Sequence, residues 1–215
     1  TEVVAWTVKQ RLQGEKDTLG FYLSGHPAES YREELGAHVV PIADLGKNHL
    51  KKARVCALVR SLRRILTKRG KQLVIMGLED DSGTLDAVVF SEVFEAAPTP
   101  PASGDIICLE GEIGEDNFTG GVRVTATAVY SVAEARARFS KNLSLNLTPD
   151  NSSQFEQLKA LLEQYPGRCP VRLKYVNGDA EKIVPLPPRW GVLPEDGLLE
   201  ALTQLFDTAS VSLCY

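Results

Sequence analysis

The hydrophobic positions of this chain change their rhythm along its length. Through residues 9–23, KQRLQGEKDTLGFYL, Leu12, Leu19 and Leu23 recur at helical separations until SGHP stops the pattern. A second helical piece, AESYREELGAH, leads into VVPIADL, so residues 1–50 read as a connecting arm of short helices. From Arg54 the period drops to two. Val55, Ala57 and Val59 share one face, and QLVIMGLED is apolar on both faces, as a strand in a closed or covered sheet should be. Leu85, Ala87 and Val89 follow, then Ile107, Leu109, Gly111 and Ile113. In GVRVTATAV the pattern puts Val122, Val124, Ala126 and Ala128 inside and Arg123, Thr125 and Thr127 outside.

These are five strands in about eighty residues, joined by the short turns TKRG, DDSG and DNFTGG. The exception is SEVFEAAPTPPASGD, a short helix and a Pro-rich loop between the third and fourth strands. Gly77 and Gly111 fall inside strands, where a small barrel bends sharply. That order predicts a five-stranded OB-fold barrel over residues 51–132; a small sandwich is the alternative and would not need the insertion. Residues 133–140 read as a linker helix. Beyond it, LSLNL predicts a strand, TPDNSS a cap, QFEQLKALLEQY a helix, and PVRLKYV-NGD-EKIVPL a hairpin. PEDGLLEALTQLF opens another helix and SVSLCY ends on a strand, so residues 141–215 read as a small α+β domain of order βαββαβ.

Composition excludes more than it identifies. The 215 residues are 43% hydrophobic and 24% charged, which speaks against wholesale disorder, and no apolar run is long enough for a membrane span. The beginning of the chain lacks the layout of a signal peptide and has no Met, as in a fragment of a longer protein. Cys56, Cys108, Cys169 and Cys214 form no C-x-x-C pair, and His26, His38 and His49 have no ligand spacing. A reducing, cytoplasmic setting without a metal site is expected.

Charge alters the picture more. The net charge is -4, yet residues 51–71 hold nine of the 24 basic residues and no acidic one. In an OB-fold the loop between the first two strands borders the oligonucleotide groove, and here that loop is LTKRGKQ. Arg63, Arg64, Lys68, Arg69 and Lys71, with Arg123 on the fifth strand, are the expected phosphate contacts. Phe90 and Phe118 are the rings available for base stacking. The competing reading is a solvated hairpin. LEDDSG offers three carboxylates in a row, but a two-metal site needs carboxylates converging from several elements, and a β-turn explains them better. With no nucleophile set or phosphate loop either, no catalysis is expected in this chain. Near its end, Trp190, Val211, Leu213 and Tyr215 suggest a protein-docking surface on a terminal strand; Val211 and Leu213 could equally close the domain core.

The segments EKDTLGFYLSGHP, TKRGKQLVIMGLEDDSGTLDAVVF, FTGGVRVTATAV and GVLPEDGLLEAL resemble the C-terminal region of the bacterial replicative DNA polymerase, the alpha subunit of polymerase III. The resemblance implies a DNA-directed DNA polymerase whose Mg²⁺-dependent catalytic domains lie outside these residues. It also implies an OB domain that touches single-stranded template DNA and a last domain that docks the clamp-loader tau subunit. Two other classes remain open. One is an RNA-binding OB module of the anticodon-binding type, although the residues after this OB are too few for a synthetase catalytic domain. The other is a protein-interaction adaptor that binds no nucleic acid.

Overall fold

The computed structural model describes residues 8–20, 22–47, 50–67, 70, 72–115, 121–177 and 180–215. They form two compact units, 1–131 and 132–215.

The first unit opens with helices α1 (Val8–Leu19) and α2 (Glu29–Leu35). Between them Glu15 accepts the backbone N–H groups of Leu23 (2.7 Å) and Ser24 (3.0 Å), which folds the intervening turn back onto α1. Strands β1 (Lys52–Leu66), β2 (Gln72–Asp80), β3 (Gly83–Phe90), β4 (Ile106–Glu115) and β5 (Val122–Ser131) close a barrel in the order β1-β2-β3-β5-β4. A short helix, α3 (Ser91–Glu95), fills the step from β3 to β4 and lays Phe94 into the barrel core. This is the five-stranded OB-fold the period-two pattern predicts. Val55, Ala57, Val59, Met76, Leu78, Ala87, Val89 and Leu109 are its buried interior. Gly111 is required where β4 meets β5: a Cβ there would lie 2.5 Å from Val124 Cγ1 and 2.6 Å from Thr125 O.

Two local expectations change. The first strand runs well beyond VCALV: β1 continues through RSLRRIL to Leu66, and its exposed outer half stands in register with β2 as a long hairpin. The alternation in β5 also breaks. A register shift between Glu110 and Gly111 lets Val129 replace Ala128 in the core, and Val122 is exposed.

The second unit comprises α4 (Val132–Phe139), β6 (Asn142–Leu147), α5 (Phe155–Gln164), β7 (Pro166–Cys169), β8 (Val171–Asn177), β9 (Ala180–Pro185), α6 (Asp196–Phe206) and β10 (Val211–Cys214). Its sheet has the order β10-β6-β8-β9; β7 stays outside, bridged only to Val192. Because β6 and β8 are parallel, the chain must cross over between them, and α5 is that crossover. Leu143, Leu145 and Leu147 face a core completed by Leu158 and Leu162 of α5 and Leu198, Leu202 and Phe206 of α6. The helix expected as a linker is instead part of this unit. Arg136 of α4 is 4% exposed and donates to Pro194 O (3.1 Å) and Asp196 Oδ1 (2.7 Å), pinning α4 to the start of α6.

Candidate nucleic-acid interface

Register places side chains on the barrel's outward face. Ile65 pairs with Leu73 and Leu73 with Phe90, so three strands contribute one apolar row. Two residues along, Arg63 pairs with Ile75 and Ile75 with Val88, and Val88 lies beside Thr125 of β5. A groove of about 570 Å³ follows this face, lined by Arg60, Arg63, Ile75, Asp86, Val88 and Arg123. Alternation explains the arrangement, since the other face of the same strands fills the barrel.

The groove is basic at its margins and apolar along its floor. Arg63 reaches Asp86 at 3.6 Å, with both side chains largely exposed, so the pair is weak and an incoming phosphate can displace it. Lys52 and Arg54, at the other end of β1, are engaged by Glu112 (3.7 Å) and Glu110 (2.9 Å) of β4. Among the described basic residues of β1, Lys52 and Arg54 are neutralised, while Arg60 and the weakly paired Arg63 are left to meet an anion.

The structure brings Arg63, Phe90 and Arg123 onto this one face. Arg64 is not among them: one residue on from Arg63, it points to the opposite side and its guanidinium lies 5.9 Å from the centre of the Phe94 ring. Lys68, Arg69, Lys71 and Phe118 lie outside the described residues. Sequence reasoning missed Arg60, Ile75 and Val88, although the two-faced apolarity of QLVIMGLED already signalled that β2 covers something on its outer side.

The LEDDSG carboxylates have structural duties. Asp80 is 4% exposed; one oxygen accepts from Ser82 N (2.8 Å), Ser82 Oγ (2.6 Å) and Gly83 N (2.9 Å), the other from Ile42 N (2.9 Å). Asp81 is clamped by Arg32 through two hydrogen bonds of 3.0 and 2.7 Å, which raise the guanidinium pKa further. Together they hold the arm on the barrel. Among the described residues no group of three or more His, Cys, Asp or Glu is placed to bind a metal, and no helix is long and apolar enough to cross a membrane.

In the second unit Val211 and Leu213 pair with Leu145 and Leu143 and lie half-buried against the leucine core. Trp190 ends a short 3₁₀ turn, Pro188–Trp190, and is packed on the same core with Arg189 6.0 Å from its ring centre. Tyr215 is half-buried, its carbonyl accepting from Lys141 Nζ at 2.7 Å.

A closed five-stranded barrel with this face defines an OB-fold domain, and residues 53–132 match the family model described as an OB-fold nucleic acid binding domain. Residues 157–206 match a second model, the C-terminal domain of DNA polymerase III subunit alpha. Over 97% of its length the chain is 36% identical to the DNA polymerase III subunit alpha of Pseudomonas aeruginosa and 32% identical to that of Escherichia coli K12. It spans 18% of the length of each. The chain belongs to the DNA polymerase III alpha-subunit family and corresponds to its C-terminal region. Among solved structures, the second OB-fold domain of replication protein A from Methanococcus maripaludis covers 42% of this chain and 90% of its own, at 21% identity and a TM-score of 0.33.

Proposed function

We propose that this chain is a non-catalytic part of a cytoplasmic replicative polymerase, binding single-stranded DNA on the barrel's outward face and docking the clamp-loader tau subunit through its second unit. The polymerase centre and its Mg²⁺ belong to the longer protein. The observation that carries the DNA reading is the groove itself: exposed Arg60 and Arg63 of β1 and half-buried Arg123 of β5 flank a floor of Ile75 and Val88, with Phe90 in the adjoining row of the same face. Arginines supply salt-sensitive phosphate contacts, and an apolar floor with one ring accepts bases without choosing among them. Lys68, Arg69, Lys71 and Phe118 are further contacts expected from the sequence alone.

Fluorescence anisotropy with a labelled oligo-dT at several salt concentrations tests it. Affinity falls with salt at a log–log slope of about -0.7 per neutralised phosphate, so Arg63→Ala with Arg123→Ala flattens the slope by roughly 1.4. An unchanged slope removes this face from the site. Equal or tighter binding of the matching RNA favours the anticodon-type alternative.

For tau, the support is the open outer edge of β10 with Trp190 and Tyr215 partly exposed on the same unit. Trp190→Ala and Leu213→Gln, assayed for tau affinity alongside thermal melts, test the assignment. Full tau affinity in both folded variants places the docking surface elsewhere.

A further inference from the structure

Beyond the groove, the arm and the barrel line a second, open cavity of about 780 Å³, and Arg60 lines both. Glu79 stands in the same outward row of β2 as Ile75, about 13 Å farther along at roughly 3.3 Å per residue. From the arm, Tyr22 and His26 line the cavity, their rings edge to face at 6.2 Å.

Two polar groups in this cavity are unsatisfied. His26 Nδ1 accepts the Ala28 N–H at 3.1 Å, so the proton of the neutral ring is on Nε2. Nε2 is buried and finds no acceptor among the described residues. Burial also pushes the imidazole pKa down, against the pull of Glu79, Asp80, Asp81 and Glu29, which keeps the ring neutral. The half-buried Glu79 carboxylate makes no hydrogen bond with the described residues, whereas its neighbours Asp80 and Asp81 are fully occupied.

A ligand that satisfies both must present an acceptor beside hydrogen-bond donors. A guanidinium or ammonium group has donors only and leaves His26 Nε2–H unanswered. Cytosine and adenine each set one amino donor beside a ring-nitrogen acceptor, and thymine sets N3–H beside a carbonyl, so each answers His26 but only one oxygen of Glu79. Guanine alone among the bases has two adjacent donors, N1–H and N2–H, next to the O6 acceptor.

We propose that this cavity is a guanine-selective subsite for one nucleotide of a bound single strand. Glu79 takes N1–H and N2–H, His26 donates to O6, and Arg60 holds the connecting phosphate. The subsite rests on the DNA-binding reading above, and the experiment separates the two.

Anisotropy would compare oligo-dT with the same oligomer carrying one central dG, and with inosine, which lacks N2, in that place. The wild type binds the dG oligomer roughly tenfold more tightly than oligo-dT, with inosine between. Glu79→Gln, checked by thermal melt, abolishes that ratio while holding or tightening oligo-dT binding, because a negative charge has gone. A purely electrostatic role for Glu79 would shift all oligomers alike and leave the ratio intact. Arg63→Ala with Arg123→Ala weakens all oligomers and keeps the ratio. A wild-type ratio of one, or a ratio that survives Glu79→Gln, overturns the subsite and leaves the DNA reading standing. If no oligomer binds, that reading fails, and free guanosine 5′-monophosphate is titrated while following the His26 imidazole by NMR. A shift with this nucleotide and not with its cytidine analogue retains the guanine site. No shift, or a shift with arginine amide instead, ends it.

Discussion

The two units solve the problem of a sheet's edge in opposite ways. In the barrel every strand is flanked on both sides, and β4 returns to β1 through seven aligned pairs from Lys52–Glu112 to Leu58–Ile106. Closure pairs most of the ring's backbone, leaving chiefly the outer half of β1, which only β2 flanks, so the barrel recruits mainly through side chains on its outward face. The second unit keeps an open sheet. Its edge strand β9 is exposed throughout, with Ile183 57% and Val184 38% accessible, and β10 is paired only to β6. That sheet can recruit through unpaired backbone as well. A closed sheet therefore suits a ligand read by charge and ring stacking, and an open one suits another polypeptide.

Substitutions can break the contrast, and the largest effect belongs to the open sheet. Arg136→Leu leaves Asp196 without its buried partner and should cost about 3–5 kcal/mol. Amide hydrogen exchange should then accelerate in residues 142–214 and not in the barrel strands; uniform acceleration would show that the pair does not act locally. Leu213→Gln comes next. Its side chain lies against the leucine core, so it should lower stability by about 1–3 kcal/mol. A normal melt would mean that the edge strand contributes little to that core.

In the barrel, Arg63→Ala should change stability by less than about 0.5 kcal/mol because its side chain is exposed, and Arg123→Ala, at a half-buried position, by less than about 1 kcal/mol. A larger loss would make them structural. The smallest effect is a pH dependence at the arm. The folded pKa of His26 lies below its unfolded value, so the unfolded chain takes up the proton first. The neutral ring's contribution is intact above about pH 6.5 and is lost as pH falls toward the folded value. Thermal melts from pH 8 to 5 should show this decline, and His26→Phe should flatten it.

How much of this was legible in the sequence depended on what fixed each feature. The barrel strands were legible because each fills one interior from every second residue, as with Leu85, Ala87 and Val89. The length of β1 was not, since RSLRRIL lacks the period-two alternation that marked VCALV as strand. It is strand because β2 supplies a partner out to Gln72, a property of the pair rather than of the segment. For the same reason the basic run could be seen but not sorted. Arg63 and Arg64 are adjacent in sequence, and only the pleat sends one to the groove and the other onto Phe94. The duties of Asp80 and Asp81 depend on the arm, some forty to fifty residues away in sequence. Composition can mark such carboxylates as a turn but cannot supply Arg32 or the Ile42 N–H.

The pairing of β10 with β6 also sets an order of events during synthesis. Strand β6 ends at Leu147, and the strand that covers its flank begins at Val211. At about 5–20 residues per second the ribosome needs several seconds to supply it. Throughout that interval the nascent chain carries Leu143, Leu145 and Leu147 on a strand with one bare side, next to other chains on the same polysome. A slow-codon pause within residues 150–210 would lengthen that exposure, and the yield of soluble protein should fall accordingly.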